Sequence, residues 1–298
     1  MAYEYHYLNR GYRLVLGDYK NDPNNAALIE NLQITFEVSK SISNKDRTNS
    51  ATIEIYNLDE DILALLDKEF IAADFHAGYE NLSIKRLFAG EVVQVSTRKQ
   101  GTDVVTQIRM GSGYSQINHG VLSQLVSPGR TVKDVYEELR KGVKGINRGV
   151  YNGANLNNPV IEGYPIYGNA KSELNKLSQA TQTQWQIDGD VLYVSDPGKG
   201  WMKDNNQAIV ISPDSGLIDL AYKVPAEGYK KKQDPAKVAG IQFQSLINPD
   251  LIPGCIVKIE QDDKAIDGFY YVNSSRFTGD FRGNAWFVEC RCSKKLDT

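Results

Sequence analysis

Three kinds of residue in this chain could do chemistry, and their spacing decides which of them can act together. The histidines His6, His76 and His119 fall in separate segments, with no serine or cysteine elbow beside any of them, and are read as structural. Gly111-Ser-Gly113 could open a dinucleotide-binding turn. Gln116 stands where the third glycine is needed, and no long helix or paired acidic residue follows. Glu137 and Glu138 are adjacent on a predicted helix and point to different faces, which is not the arrangement of a glycosidase pair. Cys290 and Cys292 lie two apart on a predicted strand, so their side chains run parallel, which is poor disulfide geometry. No histidine lies near them in sequence to complete a metal site; with Cys255 they are read as buried thiols. The expectation is no catalytic residue, no cofactor and no metal.

Binding chemistry is equally sparse. Tyr270, Tyr271 and Phe277 could form a stacking platform for single-stranded nucleic acid, but are read first as β-core or subunit interface. The formal net charge is −3. Residues 1–115 carry 12 basic and 16 acidic groups, a balance of −4. None of this is the basic stripe of a nucleic-acid-gripping protein. The run Lys230-Lys231-Lys232 is the local exception, read as a solvated loop between Pro225 and Pro235.

The elements that would position these residues are mostly strands. A length of 298 residues gives a prior of about two domains. In the first 115 residues, Tyr12 to Leu16 predicts a strand, and Ile34, Phe36 and Val38, then Ala51, Ile53 and Ile55, alternate with polar residues. Asn57 is expected to cap a short helix, Ala77-Gly78-Tyr79 to turn into a strand through Val92, and Val93 to Met110 to form a hairpin. Between 116 and 204 the period changes. Thr131 to Asp134 is a capping box followed by Val132, Val135, Tyr136 and Leu139 at helical spacing. A second helix begins near Asn169, and Trp185 to Val194 predicts a tight hairpin around Asp188-Gly189.

From 205 onward strands return: Ala208 to Ile211, Leu217 to Leu220, Ala239 to Leu246, Cys255 to Ile259, Phe269 to Phe277 and Ala285 to Cys292. Asn248-Pro249, Pro253-Gly254 and Gly279 to Asn284 supply turns. The expected fold is mainly β with an α+β insert: two β-barrel domains, 1–115 and 205–298, flanking a module at 116–204, a pattern that hints at duplication. No signal peptide opens the chain and no apolar run is long enough for a membrane-spanning helix. That predicts synthesis in a cytoplasm.

Taken in order, these segments resemble the baseplate hub proteins of long-tailed bacteriophages, relatives of the hub part of type VI secretion spikes. Phe36 to Lys40, Ser50 to Leu58, Ala77-Gly-Tyr79 and Leu87-Phe-Ala-Gly90 carry the first part of the likeness. Gly168 to Leu177 with Trp185 to Gly189 carry the second. Gly216-Leu-Ile218, Leu246 to Pro249, Pro253-Gly254 and Gly279 to Trp286 carry the third. The resemblance implies a homotrimer whose six barrels ring a central channel, joining tail tube or distal tail proteins on one side to the spike on the other. Other baseplate proteins would be partners, and DNA would pass without specific binding. It implies a virion protein assembled in the host cytoplasm and no enzyme. The alternatives are a hub of another injection or secretion machine, a tail-associated cell-wall hydrolase, and a single-stranded nucleic-acid binder.

Overall fold

A computed structural model describes residues 9–18, 22–41, 49–68, 71–196, 208–225, 239–262 and 265–294. His6, Pro197-Gly198 and Lys230 to Lys232 lie outside the described residues.

The first part holds β1 (Arg10–Leu16), β2 (Ala27–Ile29), β3 (Ile34–Ser41), β4 (Ser50–Tyr56), helix α1 (Glu60–Leu66), β5 (Ala72–Tyr79), β6 (Ser83–Gln100) and β7 (Asp103–Gly111). Alternation does what period-two patterning predicts: Ile34, Phe36 and Val38 are buried on β3, and Ala51, Ile53 and Ile55 on β4. Two local expectations change. Asp59, not Asn57, caps α1, accepting from the Asp61 N–H. Asn57 instead takes a left-handed φ of 55° and binds across to β7, accepting the Val104 N–H at 2.9 Å and donating to Asp103. Ala77 to Tyr79 is the end of β5, paired to β1, rather than a turn.

The middle part holds α2 (Tyr114–His119), β8 (Val121–Val126), α3 (Val132–Gly142), β9 (Asn147–Asn152), β10 (Tyr164–Asn169), α4 (Ala170–Thr181), β11 (Gln184–Asp188) and β12 (Val191–Ser195). The Thr131–Asp134 capping box forms, and Asn169 caps α4 through the Ser172 N–H. β8 and β10 make a separate two-stranded ribbon, and β11, β12 and β9 a three-stranded sheet. The ribbon's inward side buries Leu122, Val126 and Ile166, while Val121, Leu125 and Tyr167 are each more than 70% exposed on its outward side.

The last part holds β13 (Ile209–Ile211), β14 (Tyr222–Pro225), β15 (Ala239–Leu246), β16 (Ile256–Ile259), β17 (Gly268–Asp280) and β18 (Trp286–Lys294). Leu217 to Leu220 is not a strand; only a bridge from Leu217 to Ser245 remains of it.

The protein is β-dominated with a helical insert, as expected. The barrels are where the structure departs from expectation. Among the described residues the strands of the first and last parts do not close into two barrels but share one 13-stranded sheet, ordered β14-β15-β18-β17-β3-β4-β7-β6-β5-β1-β2, with β13 and β16 attached to the side. The cause lies in β17. Its first residues, Gly268 to Tyr271, pair with β16, and Ser274 to Asp280 pair with β3 along the same edge. A register shift between Val272 and Ser274, where buried Asn273 accepts from the Ser293 hydroxyl, redirects the strand from one partner to the other.

Two apolar cores follow from this arrangement. One draws on the first and last parts together, from Tyr12 and Leu14 through Val288 and Cys290; the other is confined to the insert, around Tyr136, Leu139, Leu174 and Trp185. Aromatic rings stitch the shared core: Phe36 meets Phe75 at 4.8 Å and Trp286 at 5.3 Å, both edge to face. Arg10 on β1 closes it from outside, donating to the Asp280, Gly283 and Asn284 carbonyls of the β17–β18 turn.

Candidate functional site

Two surfaces gather the polar chemistry of the molecule. The first is the outward face of the central sheet. Pairing registers place Gln242, Arg291, Ser274 and Ser41 in one cross-strand row, and Gln244, Glu289, Arg276, Ser39 and Ser50 in the next. Thr278, Glu37, Thr52, Arg109 and Gln94 form another row. The face therefore runs without a break from β15 to β6, across both ends of the chain. Two of its arginines are matched across strands: Arg276 lies 3.6 Å from Glu37, and Arg98 2.9 Å from Glu54, which also accepts from Gln107, while Arg109 makes only a 3.4 Å bond to the Gln94 amide. Arg291 donates to Gln242 at 3.0 Å. Among the described residues this face mixes acidic and basic groups and carries no basic stripe.

The second is the junction between the insert and the sheet, held by two polar clamps. In one, Asp188 at the end of β11 accepts from Lys40 at 3.0 Å and from Asn49 at 2.8 Å, and Asn49 in turn accepts from Gln186. Lys40 is only 4% exposed. In the other, the Glu91 carboxylate on β6 accepts the Ser115 N–H at 2.9 Å, the Ser115 hydroxyl at 2.7 Å and the Gln116 amide at 2.9 Å. Residues of Gly111-Ser-Gly113 thus lead into a six-residue helix pinned by Glu91, not into a dinucleotide turn.

Two clefts are lined by residues of both the insert and the sheet. One, of about 560 Å³, is lined by Asp18, Asp74, Glu91 and Asp190 with Arg86. Arg86 grips Asp74 through two hydrogen bonds, and His76 lies 3.0 Å from the same carboxylate. Burial pushes the Asp74 pKa up, but hydrogen bonds from His76 and Arg86 bring it below its usual value. The other cleft, of about 550 Å³, carries Arg109 and Lys171.

The remaining residues singled out in the sequence are scattered. His119 is exposed at the end of α2. Glu137 binds Arg140 and Arg148, while Glu138 binds Lys141. Tyr270 and Phe277 are buried, the Tyr270 hydroxyl donating to the Ile266 carbonyl, so they form no stacking platform. Among the described residues no group of three or more His, Cys, Asp or Glu could hold a metal ion, and no helix is long and apolar enough to cross a membrane. Sequence reasoning missed the clamps, because Lys40, Asn49, Glu91 and Gln186 acquire their roles only through long-range contacts.

All three cysteines are buried and none is in a disulfide. Burial raises the Cys255 thiol to about 12 and pushes Cys290 up as well. At pH 8 the reactive thiolate of Cys255 is therefore nearly absent. Disulfide-exchange reagents should leave both thiols unmodified in the folded protein and label them on addition of denaturant. Rapid labelling of the folded protein at pH 8 would contradict this burial.

No protein-family profile matches the chain, and no curated protein matches it by sequence. Solved structures do. A tail protein from Neisseria meningitidis MC58 superposes with a TM-score of 0.60 at 13% identity, covering 96% of this chain and 97% of that one. The prophage MuSo2 43 kDa tail protein from Shewanella oneidensis gives 0.61 at 10% identity, covering 96% and 98%. The Escherichia coli c3393 protein, a component of the type VI secretion system with structural similarity to the T4 tail proteins gp27 and gp5, gives 0.64 at 12% identity, covering 89% and 74%. The chain thus has the fold of phage tail and type VI secretion proteins over nearly its whole length.

Proposed function

We propose that this chain is a structural hub of a bacteriophage tail baseplate. Three copies form a ring of pseudo-sixfold symmetry that joins the tail tube to the central spike and surrounds the DNA channel. The observation that carries this reading is the continuous polar face of the central sheet. It is built by strands from both ends of the chain, so each copy offers two β-rich surfaces, from 1–115 and 205–298, to one wall. A head-to-tail ring needs two different contact edges per copy. Among the described residues β2 and β14 end the sheet and supply such edges. Division of the chain at about 115 and 205 is supported by the separate insert core, which leaves the 116–204 module free to face other baseplate proteins. The exposed apolar side of the β8–β10 ribbon suits such a contact.

The pairing of Arg276 with Glu37 and of Arg98 with Glu54 suits a DNA passage. DNA slides past a wall whose cations are already neutralised, whereas each free basic group adds phosphate affinity and counterion release. No catalytic step is assigned to the chain, and its place is the virion after assembly in the host. A second reading, a hub of a type VI or related injection machine, is favoured by the secretion-system component among the similar folds.

Electron microscopy of the purified chain, alone and with tube and spike proteins, tests the ring. Threefold tori are expected; a chain that stays monomeric and joins neither partner overturns the reading. A second test addresses the wall. The double variant E37K/E289K places two unmatched lysines on the polar face. It should fold normally yet retard duplex DNA in low-salt gel shifts, and particles carrying it should eject DNA more slowly. Unchanged ejection from assembled particles would place this face away from the DNA.

A further inference from the structure

The geometry points to a self-forming amide cross-link between the side chains of Lys40 and Asn49, with Asp188 carrying the protons. The β3–β4 register pairs Val38 with Ala51 and Ser39 with Ser50, and its next position sets Lys40 opposite Asn49. Side chains directly opposite on one face have Cβ atoms about 4.5–5.5 Å apart. Both lie on the buried side, in line with Phe36 and Val38 on one strand and with Ile53 and Ala51 on the other. Asp188 comes from the insert and touches both. Its Oδ1 accepts from Lys40 Nζ at 3.3 Å and from Asn49 Nδ2 at 2.8 Å, and its Oδ2 accepts from Nζ at 3.0 Å. Amine and amide thus meet on one carboxylate oxygen. Gln186 holds the other end of the amide, its Nε2 donating to Asn49 Oδ1. The Gln186 Oε1 is buried without a partner among the described residues, so this donor is held in place at a cost that packing does not explain.

These are the parts that an amide exchange needs. Asp188 takes a proton from the Lys40 ammonium, and the neutral amine attacks Asn49 Cγ. Negative charge develops on Asn49 Oδ1, where the Gln186 N–H already points. Asp188 returns its proton to Nδ2, the Cγ–Nδ2 bond breaks, and ammonia departs. The new amide nitrogen gives its remaining extra proton to Asp188, which passes it on through solvent to the ammonia. One ammonium group and one primary amide become one secondary amide and one ammonium ion, with no oxidant, reductant or water consumed. Holding both groups on one carboxylate supplies the proximity. Burial favours this route over hydrolysis: Lys40 is 4% exposed, Asn49 0% and Gln186 1%. The Asp188 side chain, 28% exposed, leaves a way out for ammonia and the proton. The reaction happens once, on the chain itself, and turns over no external substrate. It would fasten β3 to β4 covalently and remove the charge of Lys40. The tie from Asp188 to the sheet would then fall from an ion pair to a hydrogen bond, slackening the insert as the sheet is locked.

Intact-mass spectrometry of the isolated chain tests this. Freshly prepared protein carries the ion pair; over days at neutral pH it should lose the mass of one ammonia. Tryptic digestion should then release residues 21–45 joined to residues 48–68, because an acylated Lys40 is no longer cut. D188N keeps the size of the side chain but cannot carry the proton, and K40M has no amine, so both should keep their full mass. K144Q, which removes an exposed lysine elsewhere on the insert, should lose ammonia at the parent rate. A parent chain that keeps its full mass overturns the cross-link. So does an ammonia loss that persists in K40M, which would mark ring closure at some asparagine alone. Loss of one water, with Lys40 joined to Asp188, overturns Asn49 as the acyl donor, and an undiminished loss in D188N overturns the role of Asp188. Should K40M fail to fold, D188N and the joined peptide decide. The chain is tested without partners, so the result stands whether or not the ring forms.

Discussion

Replacing Trp286 with alanine should destabilise the protein by about 3–5 kcal/mol, the range for emptying a large buried aromatic site. Trp286 is 2% exposed, packs edge to face on Phe36 and lies under the Arg10 guanidinium at 5.5 Å. Phe36 belongs to the first part of the chain and Trp286 to the last, so the cavity opens where the two are joined. A domain commonly has only ~5–15 kcal/mol in hand, so the loss is a large fraction of the whole. Urea unfolding followed by fluorescence and by circular dichroism should show the first and last parts losing structure together. The insert, with its own core around Trp185, should retain signal to higher denaturant. W286F should cost markedly less, because phenylalanine keeps most of the ring contact. It also removes an indole N–H that meets no acceptor among the described residues. A W286A protein within 1 kcal/mol of the parent would show that these rings do not hold the sheet.

Asp188→Ala is the second large effect, also about 3–5 kcal/mol, and it arises from charge rather than volume. Lys40 is buried and its ammonium faces Asp188; removing the carboxylate leaves a cation without its counter-charge and Asn49 without an acceptor. Replacing the cation instead, as in K40M, should cost much less, since Asp188 is partly exposed and keeps its bond to Asn49. The double variant K40M/D188A should be more stable than D188A alone. Chemical denaturation of the three proteins gives the coupling directly. Equal losses for K40M and D188A would mean that the clamp acts through packing and not through an unpaired charge.

Much of the local structure was written in short-range patterns. Val38, Ile53 and their neighbours read as strands because one face of each is buried, and the Thr131 capping box and the helix start near Asn169 read correctly because helix starts are settled within a few residues. Asp188-Gly189 marked the hairpin, although the turn itself falls on Gly189 and Asp190, with Gly189 at φ 63°. The misses were non-local. β9 lies in a Gly- and Asn-rich stretch without apolar alternation, and becomes a strand only because β12 offers it a parallel edge. Asn57 looked like a cap, but the β7 backbone competed for its side chain. Closed barrels were expected from strand number alone; which edge of β17 meets β3 is decided by a one-residue bulge that no periodicity announces. The polar face could be listed strand by strand from sequence, yet its continuity across the two ends required that same pairing.

The pairing of β3 with β17 also sets a clock. β3 ends at Ser41 and its partner begins only at Gly268, so at ~5–20 residues per second a nascent β3 edge waits roughly 10–45 s for the ribosome to deliver its neighbour. Until then β3 presents an unsatisfied, half-apolar ladder that other growing chains can use. A message truncated before codon 268 would never close it, and its product would be a template for aggregation instead of a smaller functional piece. Chaperones would meet this protein during synthesis, and the ring proposed above would have to be built from finished chains.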